Sequence, residues 1–140
     1  DQENRYSSLQ NKYRIPYPAT LKRNIIERQS LLLEKSLPAF SKQIKKALKR
    51  KDILALNHRS SEFFASYFDL LFALNEQLHP GEKRMLSYAK KNCTLLPRDF
   101  EANIQAYFQN LYQRDKLQET LDTLNQLLEQ LKSLVEITNH

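Results

Sequence analysis

The stretch from Ile53 to Arg84 constrains the fold more than any other part of the chain. Its apolar positions Ile53, Leu56, Phe63, Phe64, Tyr67, Phe68, Leu71, Leu74 and Leu78 follow helical spacing rather than the alternation of a strand. This predicts a long central helix that other helices wrap. Pro80 has no amide hydrogen and clashes with the preceding turn, so the helix is expected to stop near His79. A new helix is then expected to begin at Gly81, the only glycine in the chain.

That lone glycine, the abundance of Leu, Gln, Lys and Glu, and the lack of any Val/Ile/Thr-rich alternating run point to an all-α protein. A length of 140 residues fits one domain with a real core. The expected architecture is an up-and-down bundle of five to six helices over 18–140, preceded by an arm or linker over 1–17. The arm ends in Ile15-Pro16-Tyr17-Pro18, whose prolines favour extended backbone before a helix start. Cys93 is the only cysteine, so no internal disulfide can form, and no apolar run approaches the ~20 residues that cross a bilayer. We therefore expect a soluble, cytoplasmic protein with no membrane partner. The chain begins at Asp1 and its only methionine is Met85, which leads us to expect a piece of something longer or a processed product.

The first helix is expected from about Ala19 to Lys35, burying Leu21, Ile25, Ile26, Leu32 and Leu33, with an interruption at Ser36 and Pro38. The next, about Leu37 to Lys51, has two faces. Leu37, Phe40, Ile44, Ala47 and Leu48 form its core side, whereas Lys42, Lys45, Lys46 and Lys49 form a continuous cationic stripe. Such a stripe is either a solvated face or a phosphate contact. Asp52 is placed to cap the central helix. On that helix Asn57 and Asn75 share a face with Phe64, Phe68 and Leu71, so both amides need partners, and Arg59 is placed to pair with Glu62.

The helix after Gly81 is expected to reach Asn92, with Lys83 and Arg84 in its first turn. Cations there oppose the helix dipole, which suggests an anion in the site. After a turn at Thr94 to Asp99, with Asp99 as a cap, a helix from Phe100 to Gln113 is expected to bury Phe100, Ile104, Tyr107, Phe108 and Leu111. The last helix, Asp115 to Ile137, keeps a heptad rhythm through Leu117, Leu121, Leu124, Leu128, Leu131 and Val135, and Leu127 and Leu134 widen its stripe.

Charge is unevenly spread. Up to Ser60 there are 14 Lys/Arg against 5 Asp/Glu, or +9; from Ser61 there are 8 against 11, or −3. One half of the domain therefore attracts phosphate-rich ligands or an acidic partner. Catalytic signatures are missing: there is no Gly-rich phosphate loop, no Cys/His pair at zinc spacing and no HExxH. One widespread class of helical RNases has four to six residues between an Arg and a following His, whereas Arg50 and His58 have seven between them. The sequence offers no metal site and no catalytic residues, and Cys93 reads as a small buried apolar group.

The runs Asn57-His58-Arg59, Tyr67-Phe68-Asp69, Phe72-Ala73-Leu74-Asn75 and His79-Pro80-Gly81-Glu82-Lys83-Arg84, with Tyr17-Pro18 and Cys93-Thr94-Leu95-Leu96-Pro97, resemble the helical C-terminal region of a bacterial family of DNA-polymerase-beta-like nucleotidyltransferases. The resemblance covers roughly Tyr17 to Leu111. It implies a two-part enzyme in which an upstream α/β domain carries a Gly-Ser pair, an Asp-x-Asp site, Mg²⁺ and the nucleoside triphosphate. This chain would be the non-catalytic substrate-binding part, closing over that site. On the matching pattern the phosphate-binding residues would be Asn75, His79, Lys83 and Arg84, with His58 and Arg59 behind them, acting on a nucleotide or phosphate-bearing acceptor. Two other functions remain open on the residues alone. One is a protein–protein interaction module whose heptad helix forms a homodimer. The other is nonspecific nucleic-acid binding through the lysine stripe.

Overall fold

A computed structural model describes residues 27–138 and forms an all-α helical bundle. The expected arm over 1–17 and the expected helix from Ala19 as far as residue 26 lie outside the described residues. Five α-helices follow in order: α1 (Leu37–Arg50), α2 (Ile53–Leu74), α3 (Met85–Asn92), α4 (Phe100–Asn110) and α5 (Leu117–Thr138). No strand occurs among the described residues, and no helix among them is long and apolar enough to cross a membrane.

The interruption expected at Ser36 and Pro38 is absent. Residues 27–31 are helical and pass through a π turn, Leu32–Ser36, directly into α1. The Leu37 amide donates five residues back, to the Leu32 carbonyl. Pro38 would otherwise drive its ring into the carbonyl four residues before it, and the wider π turn accommodates the proline without breaking the helix.

α1 and α2 are joined by a tight corner. Lys51 takes a left-handed φ of 57°, and the Asp52 amide reaches back to the Ala47 carbonyl at 3.0 Å. Asp52 then caps α2, its carboxylate accepting from the Ala55 amide at 3.2 Å, as its position requires. α1 packs along α2 and against α5, while α4 packs along α5. α2 meets α4 through aromatic rings: Phe64 lies edge-on to Tyr107 at 5.3 Å and close to Phe108 at 5.2 Å. Buried Phe63, Phe64, Tyr67, Phe68 and Phe72 make α2 the aromatic spine of the core.

Two buried tyrosines differ in how their hydroxyls are treated. The Tyr107 hydroxyl shares a 2.6 Å hydrogen bond with Ser60. Tyr67 has no partner for its own among the described residues. Burial pushes both hydroxyls up, Tyr107 to about 12 despite the opposing effect of the Ser60 hydrogen bond. Cys93 is buried and its thiol is likewise pushed up by desolvation, which makes it a poor nucleophile.

The structure revises several boundaries. α2 ends at Leu74, short of His79, because Asn75 turns its side chain onto the Leu71 carbonyl and Glu76 adopts a left-handed φ of 52°. The Gln77 amide closes this end on the Phe72 carbonyl at 2.9 Å, so Leu78 falls outside the helix and is 76% exposed. α3 starts at Met85 rather than Gly81, which places Lys83 and Arg84 before the helix, not in its first turn. Asp99 stands at the N-cap of α4 but in a left-handed conformation, and its side chain makes no cap bond. Phe108, expected to be buried, is 46% exposed, although its ring meets that of Phe64.

Along α5, Leu124, Leu127, Leu128, Leu131 and Val135 are buried. From Leu124 onward the heptad stripe is therefore covered by other helices of the same chain, chiefly α4 and α1, whereas Leu117 and Leu121 are partly buried.

Candidate functional site

The residues singled out by sequence fall into three places. The first is the corner between α2 and α3. Asn75 is its clasp: the side-chain amide donates to the Leu71 carbonyl at 2.8 Å and to the Leu95 carbonyl at 2.9 Å, while its oxygen accepts from the Leu95 amide at 2.8 Å. Both of its polar atoms are thus engaged in holding the loop after α3 to the end of α2. His79 is the second fixed point. Its Nδ1 accepts from the Gly81 amide at 3.0 Å, its ring stands edge-on to Phe72 at 5.3 Å, and its Nε2 lies 3.8 Å from Asp69. With Nδ1 accepting, the neutral ring carries its proton on Nε2, toward that carboxylate.

Between these anchors the chain passes through Gly81, at φ 93°, and reaches Arg84, left-handed at φ 57°. A side chain at position 81 would meet no heavy atom within 4 Å, so glycine is favoured there by backbone conformation alone. Lys83 and Arg84 are exposed and have no carboxylate partner among the described residues. Directly after them, α3 begins without a side-chain cap. Free helix amides and two uncompensated cations therefore adjoin one another.

Sequence reasoning missed two members of this corner. Asp69 binds Arg28 at 3.2 Å as well as facing His79, and Arg28 comes from the helical residues before the π turn. Arg28, Gln29, Leu32, Asp69, Leu70 and Ala73 line a small cavity of about 100 Å³. The available signal was an acid set within the most apolar stretch of the chain. Its partner, 41 residues away, left no local trace.

The second place is the first half of α2. His58 and Arg59 both turn to Glu62, at 2.6 Å and 3.1 Å. They stand 16 residues and more before Asn75, about 24 Å along the helix axis from the clasp. Asn57 nearby accepts a hydrogen bond from the Tyr112 hydroxyl.

The third is the outer face of α1. Lys42, Lys45, Lys46 and Lys49 are all exposed and none lies within ion-pair distance of an acid among the described residues. The contrast with the other helices is sharp, because there Arg59 meets Glu62, Lys90 meets Glu101 and Lys132 meets Glu129.

No cluster of three or more His, Cys, Asp or Glu that would hold a metal ion occurs among the described residues. The chemistry on offer is orientation and neutralisation of negative charge. No protein-family model, curated protein or solved structure matches the chain.

Proposed function

We propose that this chain is a non-catalytic helical binding domain that holds the phosphates of a nucleotide, or of a phosphate-bearing acceptor, against an active site supplied by an upstream nucleotidyltransferase domain. One observation carries the reading. Lys83 and Arg84 are exposed, adjacent and unpaired among the described residues, on a turn that leaves α2 at Asn75 and is held in its middle by the His79–Gly81 bond, in front of an uncapped helix start. A turn bearing two adjacent cations neutralises phosphate charge, and the part of its backbone already fixed lowers what has to be ordered on binding. In this scheme Asn75 and His79 position the turn rather than touch the ligand, and Mg²⁺ and the triphosphate's reacting end belong to the upstream domain.

The test is a calorimetric titration of Mg-ATP, Mg-CTP, Mg-GTP and Mg-UTP into the full protein and its Lys83→Ala/Arg84→Ala variant. At least one nucleotide should bind tenfold or more weakly to the variant. Equal affinities would remove the phosphate role from this turn.

A second reading, an interaction module, draws on a different surface from the heptad helix. Leu54, Phe108 and Tyr112 are 82%, 46% and 54% exposed, and the Tyr112–Asn57 hydrogen bond brings α2 and the end of α4 together there. Light scattering separates the two. A concentration-dependent dimer abolished by Phe108→Ser/Tyr112→Ser would favour an interaction surface at this place, whereas Leu124→Lys or Leu131→Lys would unfold the bundle before it could report on a dimer.

A further inference from the structure

We infer that the outer face of α1 docks double-stranded nucleic acid, held by its phosphate backbone without readout of the bases. The inference does not depend on the Lys83–Arg84 turn, which lies elsewhere in the chain. It starts from an imbalance: Leu37–Arg50 contains five basic residues and no acidic one. Among the described residues only Arg50 is paired, with Asp52 at 3.6 Å. Lys42, Lys45, Lys46 and Lys49 repel one another at helical spacing, each close pair costing a few tenths of a kcal/mol, and nothing among the described residues relieves them. A polyanion laid along the ridge would.

Geometry and composition narrow the class of polyanion. The ridge from Lys42 to Lys49 is about 10 Å long, the length over which one strand of a duplex carries about three phosphates. Protein partners are anchored by buried aromatic and aliphatic side chains, and lysine is depleted at such contacts. Apart from Ala39, the exposed positions of α1 are all Lys, Gln and Arg, so this face offers a protein no anchor. A membrane surface would need an apolar face to insert, yet Leu37, Ile44 and Ala47 are fully buried against the rest of the bundle. Single strands gain much of their affinity from bases stacking on aromatic rings, and the one aromatic residue of α1, Phe40, is partly buried against the core. What remains is phosphate spacing on a duplex.

The test is fluorescence anisotropy with a labelled 20-base-pair duplex of arbitrary sequence, read at 50 to 200 mM salt. Three to four phosphate contacts predict a log–log salt slope of about −3 and an affinity that weakens about 60-fold across that range. In the Lys42→Gln/Lys45→Gln/Lys46→Gln/Lys49→Gln variant the slope should fall below about 1 in magnitude, with at least tenfold weaker binding at 50 mM salt. A control with the same change in net charge, Lys91→Gln/Arg114→Gln/Lys116→Gln/Lys132→Gln, should keep the parent slope, and Lys83→Ala/Arg84→Ala should bind the duplex as the parent does. Circular dichroism checks that each variant is folded. Equal weakening by the control would reduce the effect to general basicity and overturn the proposal. So would a parent protein that fails to bind the duplex at 50 mM salt, or one that binds polyglutamate, or vesicles containing phosphatidylserine, as tightly through the same four lysines.

Discussion

The two ends of α2 are closed by different means. At the first, everything needed lies between Ala47 and Ala55: a left-handed Lys51, a backbone bond from Asp52 to Ala47, and the Asp52 carboxylate on the Ala55 amide. At the second, the helix turns off through Glu76, and the side chain that fixes the exit is bonded to Leu95, 20 residues on. A local closure needs only a capping residue; a remote one needs the rest of the bundle already in place. The same contrast separates the two candidate binding surfaces. The lysine face of α1 follows from helical spacing, whereas the Lys83–Arg84 turn follows Asn75, bonded to Leu95, and His79, whose ring stands against Phe72 and near Asp69.

Both ends hang on one aromatic core, so the largest perturbation should release them together. Burial raises the hydroxyls of Tyr67 and Tyr107 above their ordinary value of 10, and the unfolded chain gives up those protons first. Stability should therefore be constant with respect to these groups below about pH 10. As pH rises toward 12 it should fall by about 1.4 kcal/mol per pH unit for each tyrosine. Urea unfolding followed by circular dichroism measures this, and a flat profile over that range would mean the hydroxyls are open to water.

Asn75→Ala tests the remote end. Three hydrogen bonds vanish and the Leu95 amide and carbonyl lose their partners, for an expected loss of about 2–3 kcal/mol in urea. A loss below about 0.5 kcal/mol would show that water replaces the clasp and that the two ends do not differ in kind. Asp52→Ala tests the local end, where one cap bond is worth about 1 kcal/mol, read as a lowered midpoint in thermal unfolding. If this variant proves costlier than Asn75→Ala, the comparison is reversed. Smallest is Gly81→Ala. The added methyl meets nothing within 4 Å, so only the left-handed backbone penalises it, partly offset by a stiffer unfolded chain, at about 0.5 kcal/mol net. A much larger loss would show that the turn is more closely packed than its exposure indicates.

Individual residues show how far the sequence could be read. Phe63, Phe64, Tyr67, Phe68 and Leu71 repeat with helical spacing and are buried as that spacing requires. Asp52 caps where a short polar side chain before an apolar helix should cap. Arg59 meets Glu62 one turn away. Pro38 misled, because a wide turn is a response to proline that the residue types alone do not announce. Asn75 misled differently: its position beside the basic turn was legible, but its donors and acceptor are spent on Leu71 and Leu95. The Arg28–Asp69–His79 contacts were not legible at all, since nothing in a window of a few residues links three polar groups from separate segments.

By itself, the sequence determined that this chain is helical, where its central helix begins, and which face of α1 carries unopposed positive charge. Each of these rests on forces acting within a turn or two of backbone: spacing, capping and the repulsion of neighbouring lysines. Only the structure decided that the helix survives Pro38, that α2 stops at Leu74, that the α5 stripe from Leu124 to Val135 is buried inside the bundle, and that Lys83 and Arg84 precede α3. The clasp between Asn75 and Leu95 and the burial of the α5 stripe depend on groups far apart in the chain meeting at hydrogen-bond or packing distance, whereas the π turn before Pro38 and the exit at Leu74 close on carbonyls within five residues, a choice among local geometries that residue types alone do not make.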